Sequence, residues 1–137
     1  MHVFTDGSLM YCQVWDRVVA GGYQARAGTV RGFVRVRVNN EAYPALLRGP
    51  AQSAVPGVLY LDVSASDLAT LDRFEDEGKA YGRIPVSVEL DDASAVDACA
   101  YLFLHPDRVD GSPWEPERFE AEGLQHFVNT YLRDRAP

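Results

Sequence analysis

The chain reads as α+β, with five or six strands, three helices and mostly antiparallel neighbours. Three observations predict this. Phe33–Val38 and Tyr81–Leu90 alternate with period two, and Val96–Leu104 returns from the second across Asp91-Asp92 as the other arm of a hairpin. Three other segments keep the 3.6-residue apolar period of a helix. The 137 residues, 47% hydrophobic and 24% charged, suit one domain, 1–137, with one sizeable core.

Taken in order, His2–Thr5 is a short strand that breaks at Asp6-Gly7-Ser8, which is loop and N-cap chemistry. Tyr11, Val14, Trp15, Val18 and Val19 line one face of a helix stopped by Gly21-Gly22. Strand-rich sequence follows. In Phe33–Val38 the valines take one face, and Arg35 and Arg37 take a solvated one. Asn39-Asn40 is a turn; Tyr43–Leu47 is a short extended piece that Pro44 marks as an edge or bulge. Residues 49–56 read as a loop and Val58–Val63 as a strand. Ser64, Ser66 and Asp67 open a second helix, which Gly78 ends. Ile84, Val86, Val88 and Leu90 point inward from the hairpin. After His105 the chain turns polar. Ser112-Pro113-Trp114-Glu115 resembles a capping box for a last helix with Phe119, Leu124, Phe127, Val128 and Tyr131 on its apolar side.

The formal charge of −7 and pI near 4.8 argue against sequence-independent nucleic-acid binding and against an anionic membrane surface. A small anionic substrate stays open. Cys12 and Cys99 fit no metal or redox spacing and read as buried free thiols. With no secretory leader and no apolar run of membrane length, a cytoplasmic setting is expected. His2, His105 and His126 are scattered, so no metal site is expected. Ser8 lacks the glycine elbow and paired base of a nucleophile, and the Asp6–Met10 turn lacks phosphate-loop glycines and lysine. The turn's unpaired N–H groups can nevertheless bind an anion or an oxyanion.

Glu75 is the residue out of place. On the second helix Leu68, Leu71 and Glu75 fall on one narrow stripe. A carboxyl on a core stripe is desolvated, and desolvation raises its pKa. Asp72, Asp76 and Glu77 are close in sequence and push it the same way. A carboxyl tuned toward neutrality takes and gives a proton near pH 7. The bland alternative is a surface glutamate at a frayed helix end.

These segments together resemble the gamma-glutamyl cyclotransferase-like superfamily, which includes the plant avirulence-induced-gene proteins. Val3-Phe4-Thr5-Asp6-Gly7-Ser8-Leu9-Met10 is similar to its Tyr-Gly-Ser/Thr-Leu signature. Tyr43-Pro44-Ala45-Leu46, Gly57-Val58-Leu59-Tyr60, and Leu71-Asp72-Arg73-Phe74-Glu75-Asp76-Glu77 followed by Tyr81 match its later segments, in order, to about Leu104. The resemblance implies a small mixed β-barrel of about six strands wrapped by about three helices, with a cavity at one end. It implies Glu75 as acid/base and a substrate held by Asp6, Gly7, Ser8, Leu9, Tyr43 and Tyr81, with no metal or organic cofactor. The family reaction releases 5-oxoproline from a gamma-glutamyl amine or amide, the substrate's own α-amine attacking its γ-carbonyl.

Two departures stand out. Asp6 occupies the place of the signature tyrosine, where a carboxylate weakens binding of a glutamyl carboxylate unless it faces away. Asp76 occupies the place of a glycine. Two other readings of the same fold stay open: a non-catalytic small-molecule binding module, and an enzyme acting on another acyl amine. Fold alone does not choose among them.

Overall fold

A computed structural model describes residues 1–132. Its eight strands form a closed five-stranded barrel, ordered β1-β5-β2-β6-β7, and a separate three-stranded sheet, ordered β4-β3-β8. In chain order they are β1 (Val3–Thr5), β2 (Ala25–Arg31), β3 (Phe33–Val38), β4 (Pro44–Arg48), β5 (Ala54–Tyr60), β6 (Tyr81–Leu90), β7 (Ala95–Phe103) and β8 (Val109–Pro113). All pairings are antiparallel except β1 with β7, which meet in parallel at Val3 and Cys99. The helices are α1 (Cys12–Val18), α2 (Ala65–Phe74), and a last helical stretch made of α3 (Pro116–Arg118), a π turn at Phe119–Gly123, and α4 (Leu124–Tyr131).

The alternation in β1 divides the core. Phe4 turns into the barrel with Val30, Leu46, Leu59 and Val88. Val3 turns outward to the helices, where Trp15 stacks on Tyr60 at 3.6 Å and α1, α2 and α4 bury Val14, Leu71 and Phe127. Both sides of this thin strand are therefore apolar, and its chain direction is fixed.

The fold class and the mixed barrel agree with the expectation, but two strands were hidden. β2 does not alternate legibly because Gly28 holds an inward position. A Cβ there would lie 2.5 Å from Val88 Cγ1, so the barrel closes only around glycine. β8 is masked by Asp110, Gly111 and Pro113. Its presence moves the last helix start: Glu115 is the N-cap and Pro116 the first helical proline, while Ser112 lies in the strand and bonds Asp110. β5 starts at Ala54 and ends at Tyr60, so residues 54–56 are strand rather than loop. Pro44 does open an edge strand. Cys99 is buried, but Cys12 is exposed, because it precedes the buried stripe Val14-Trp15-Val18 of α1; both are free thiols. Among the described residues no helix is long and apolar enough to cross a membrane.

Asp67 ties the end of α1 to the start of α2. Its carboxylate is 4% exposed and accepts the N–H groups of Ala20 and Gly21, both at 2.9 Å, and the Tyr23 hydroxyl. The N-cap Ser64 accepts the Asp67 N–H in turn. These bonds, the Ala20 N–H foremost, hold the Asp67 carboxyl below its ordinary value. Its contribution is therefore full above pH 3.8 and is lost as pH falls through the lower folded value. Asp67→Ala should cost about 1–3 kcal/mol in urea unfolding at neutral pH, because buried donors lose their acceptor. The gap to wild type should narrow on acidification. A variant of equal stability, or a gap independent of pH, contradicts this role.

Candidate functional site

Where β1 leaves the barrel, Gly7–Met10 forms a single tight turn: Met10 donates to the Gly7 carbonyl at 3.0 Å and Tyr11 to that of Ser8 at 3.2 Å. The first N–H groups of such a turn have no partner within it. Gly7 lies against the Pro44 ring so closely that a Cβ would sit 2.7 Å from Pro44 Cδ. Tyr81, opening β6, donates its hydroxyl to the Pro44 carbonyl at 2.7 Å. The turn, the edge of the second sheet and the mouth of the hairpin are thus held together at one end of the barrel.

Between them lies a cavity of about 260 Å³. That is below the roughly 300–1,000 Å³ of drug-sized pockets and suits an amino-acid-sized group. Asp6, Gly7, Ser8, Leu9, Tyr43, Glu75 and Tyr81, the residues singled out from the sequence, all line it. So do Tyr101, Phe127 and Tyr131, which the sequence did not mark as site residues. Tyr131 was assigned to the apolar side of the last helix, yet it is 45% exposed, at the cavity rim, with its hydroxyl on Glu41.

Glu75 reaches the cavity because α2 stops short. Phe74 is its last helical residue and Glu75 its C-cap; Gly78 does not end it. The Glu77 N–H returns to the Asp72 carbonyl at 2.9 Å and the Asp76 N–H to that of Arg73 at 3.2 Å. This is a Schellman ending, with Asp76 in the left-handed region at φ 53°. The chain turns away there, and Glu75 is left facing the hollow.

Burial pushes the Glu75 carboxyl up to about 8, and the Asp6 carboxylate adds to the rise. The residue is only half-buried by exposure, since it opens onto the cavity, yet protein surrounds it. Among the described residues no donor or cation reaches its carboxyl. The expected help from its sequence neighbours is absent. Asp72 is engaged by the Tyr101 hydroxyl at 2.7 Å and by Arg83 at 3.4 Å; Asp76 borders the cavity but is exposed, and Glu77 faces solvent. Asp6 supplies the charge instead. It does not face away: it lines the cavity, burial pushes it up to about 6, and Arg35 opposes that rise. Near neutral pH the two carboxyls hold one proton between them. Burial keeps Tyr81 and Tyr101 well above the ordinary tyrosine range, so both are neutral hydroxyl donors.

Arg35 does not lie on the solvated face expected of it. It stacks over Trp114 at 5.2 Å and donates to the Asp6 carbonyl. His2 accepts the Asp62 N–H, His105 meets the Lys79 carbonyl and His126 is exposed. Among the described residues no three metal-ligating side chains gather.

The model of the gamma-glutamyl cyclotransferase, AIG2-like family matches residues 3–120. The chain belongs to that family. An Arabidopsis thaliana protein known from a solution structure shares 24% identity, with 97% of this chain and 80% of that one superposing at a TM-score of 0.71. A gamma-glutamyl cyclotransferase of known structure shares 16% identity over 99% of this chain and 88% of its own, at 0.68. A mouse aig2-like protein shares 25% over 78% and 80%, at 0.64. No curated protein matches the chain.

Two outcomes follow from this geometry. The folded protein keeps the Glu75 proton that the unfolded chain has released above 4.5, so this group makes stability fall as pH rises from there towards about 8. Glu75→Gln should flatten that part of the pH–stability profile; an unchanged slope contradicts the burial. Asp76→Gly should raise stability by about 0.5–1 kcal/mol, because glycine adopts the left-handed region without the side-chain penalty. A loss of stability in urea unfolding would show that the Asp76 side chain supports the helix end.

Proposed function

We propose that this family member is a gamma-glutamyl cyclotransferase-like acyl transferase, cytoplasmic and cofactor-independent, that releases 5-oxoproline from a gamma-glutamyl amine or amide. The observation that carries this reading is Glu75: a carboxyl with no hydrogen-bond partner among the described residues, pushed up to about 8, in an aromatic cavity that also holds the Gly7–Leu9 turn. The two free thiols suit a reducing compartment.

In this reading the turn N–H groups and the Tyr43 hydroxyl hold the glutamyl end, while the Tyr81 oxygen, its own proton engaged by the Pro44 carbonyl, can accept from the α-ammonium. The substrate's α-ammonium approaches Glu75 and lowers the carboxyl's pKa, so that Glu75 ionises and its proton leaves to bulk water as the substrate binds. Glu75 takes a proton from the α-ammonium. The freed nitrogen attacks the γ-carbonyl carbon, closing a five-membered ring. The ring nitrogen still carries one proton too many after attack. The bond to the leaving nitrogen breaks as Glu75 returns the first proton to it, and the ring nitrogen's extra proton passes through the same carboxyl to the departing amine. The products are 5-oxoproline and the amine in its ammonium form. No protein nucleophile is needed, because the attacking nitrogen belongs to the substrate. The cavity contributes by folding the substrate for ring closure, a proximity effect. A cavity lined by neutral aromatic hydroxyls also favours transfer within the complex over loss of the proton to water.

One observation favours a second reading. Asp6, in the place of the signature tyrosine, turns its carboxylate into the cavity, which disfavours a glutamyl carboxylate there. On that reading the fold is a small-molecule binding module without turnover. Incubation with a panel of gamma-glutamyl amines, with 5-oxoproline as the readout, separates the two. Release is expected for at least one member, and Glu75→Gln, folded as wild type, should reduce it by on the order of 10²-fold or more. A folded wild type that releases nothing favours the binding module. Turnover by Glu75→Gln at the wild-type rate removes Glu75 from the chemistry.

A further inference from the structure

The β1–β5 ladder ends abruptly. Val3, Phe4 and Thr5 pair with Tyr60, Leu59 and Val58, and the next residues, Asp6 and Gly57, do not pair. Gly57 shows why the chains crowd here: a Cβ on it would lie 2.2 Å from the Thr5 carbonyl oxygen. Beyond this point neither the Asp6 nor the Pro56 carbonyl has a partner in the β1–β5 ladder. Arg35 takes both. Its Nη1 donates to the Asp6 oxygen and to the Pro56 oxygen, each at 3.0 Å.

The arginine is poorly served in return. Its Nε is buried without a partner, and among the described residues no carboxylate lies within ion-pairing distance of it. The Trp114 face at 5.2 Å is its main support, and Trp114 is itself anchored by its indole N–H on the Ala42 carbonyl at 2.8 Å. A half-buried cation without a bonded counter-ion is costly. Here it stands where the chain leaves the barrel to become the cavity turn, yet it is not among the residues that line the cavity.

We propose that Arg35 is a positioning residue: it splays β1 from β5 and aims the Asp6–Leu9 turn into the cavity from outside it. The proposal rests on the cyclotransferase reading for its kinetic consequence but not for its structural one. Arg35 faces Asp6, Tyr11 and Glu117, and Asp6 in turn faces Glu75 and Tyr81. Besides holding the turn, the guanidinium therefore opposes the burial that pushes the Asp6 carboxyl up. Removing the charge moves Asp6 further up, and a neutral Asp6 no longer raises Glu75.

The test compares Arg35→Gln and Arg35→Lys with wild type. Lysine keeps the cation and can donate to both carbonyls; glutamine keeps polarity without charge. Arg35→Gln should raise KM for a gamma-glutamyl amine by on the order of 10-fold to 10²-fold with a smaller change in kcat, as expected when a ground-state binding element is misaimed. The Asp6 carboxyl, titrated by NMR without substrate, should move above about 6 in Arg35→Gln and stay near it in Arg35→Lys. Arg35→Lys should also recover most of the KM. Wild-type KM and an unmoved Asp6 midpoint in Arg35→Gln overturn the proposal. Equal loss of folding in both variants overturns it as well, making Arg35 a stability residue only. If wild type releases no 5-oxoproline, the cyclotransferase reading fails, and the Asp6 midpoints, read without turnover, still decide for or against Arg35.

Discussion

The site depends on how closely Gly7 meets Pro44. Any side chain at residue 7 would collide with the proline ring, so only glycine lets the turn after β1 settle on the edge strand of the second sheet. Pro44 is held from the other side, where Tyr81 bonds its carbonyl. Barrel, second sheet and hairpin mouth therefore converge on one proline, and the cavity is the space left beside it. A proline suits the place: it opens an edge strand, where its missing N–H costs no ladder bond, and it offers a flat apolar ring and a free carbonyl.

Glu75 enters this space by a different device. α2 ends one residue before it, and the left-handed residue Asp76 turns the chain aside. The carboxyl is thereby placed with Asp6, from the far end of the sequence, while Asp76 stays exposed at the cavity's border. Two carboxyls in one cavity cannot ionise with equal ease. Arg35 steadies the charge on Asp6, no group among the described residues steadies Glu75, and the proton settles on Glu75.

Much of this was legible in the sequence. The α+β class, the hairpin, both apolar helix faces and the misfit of Glu75 on the Leu68–Leu71 stripe come from periodicity alone. The Asp6–Met10 turn was marked by its own unpaired N–H groups, but its company with Glu75, Tyr43 and Tyr81 came only from the resemblance, since nothing local marks them as neighbours. What stayed hidden has physical reasons. β2 and β8 carry glycine, arginine or proline where alternation would show, because Gly28 fits a crowded barrel wall and β8 lies at a sheet edge. The charge beside Glu75 was sought among Asp72, Asp76 and Glu77, but side-chain direction, not sequence distance, decides which charges meet. Arg35 read as solvated because its cover, Trp114, lies nearly eighty residues away, on a stretch that reads as the start of a helix.

Glu75 carries a proton at neutral pH because the fold desolvates it and, among the described residues, offers it no partner. Titration of the Glu75 carboxyl carbon by NMR, with the signal assigned through Glu75→Gln, measures this directly. A midpoint near 8 is expected. A midpoint near the ordinary 4.5 would contradict it and return Glu75 to the surface.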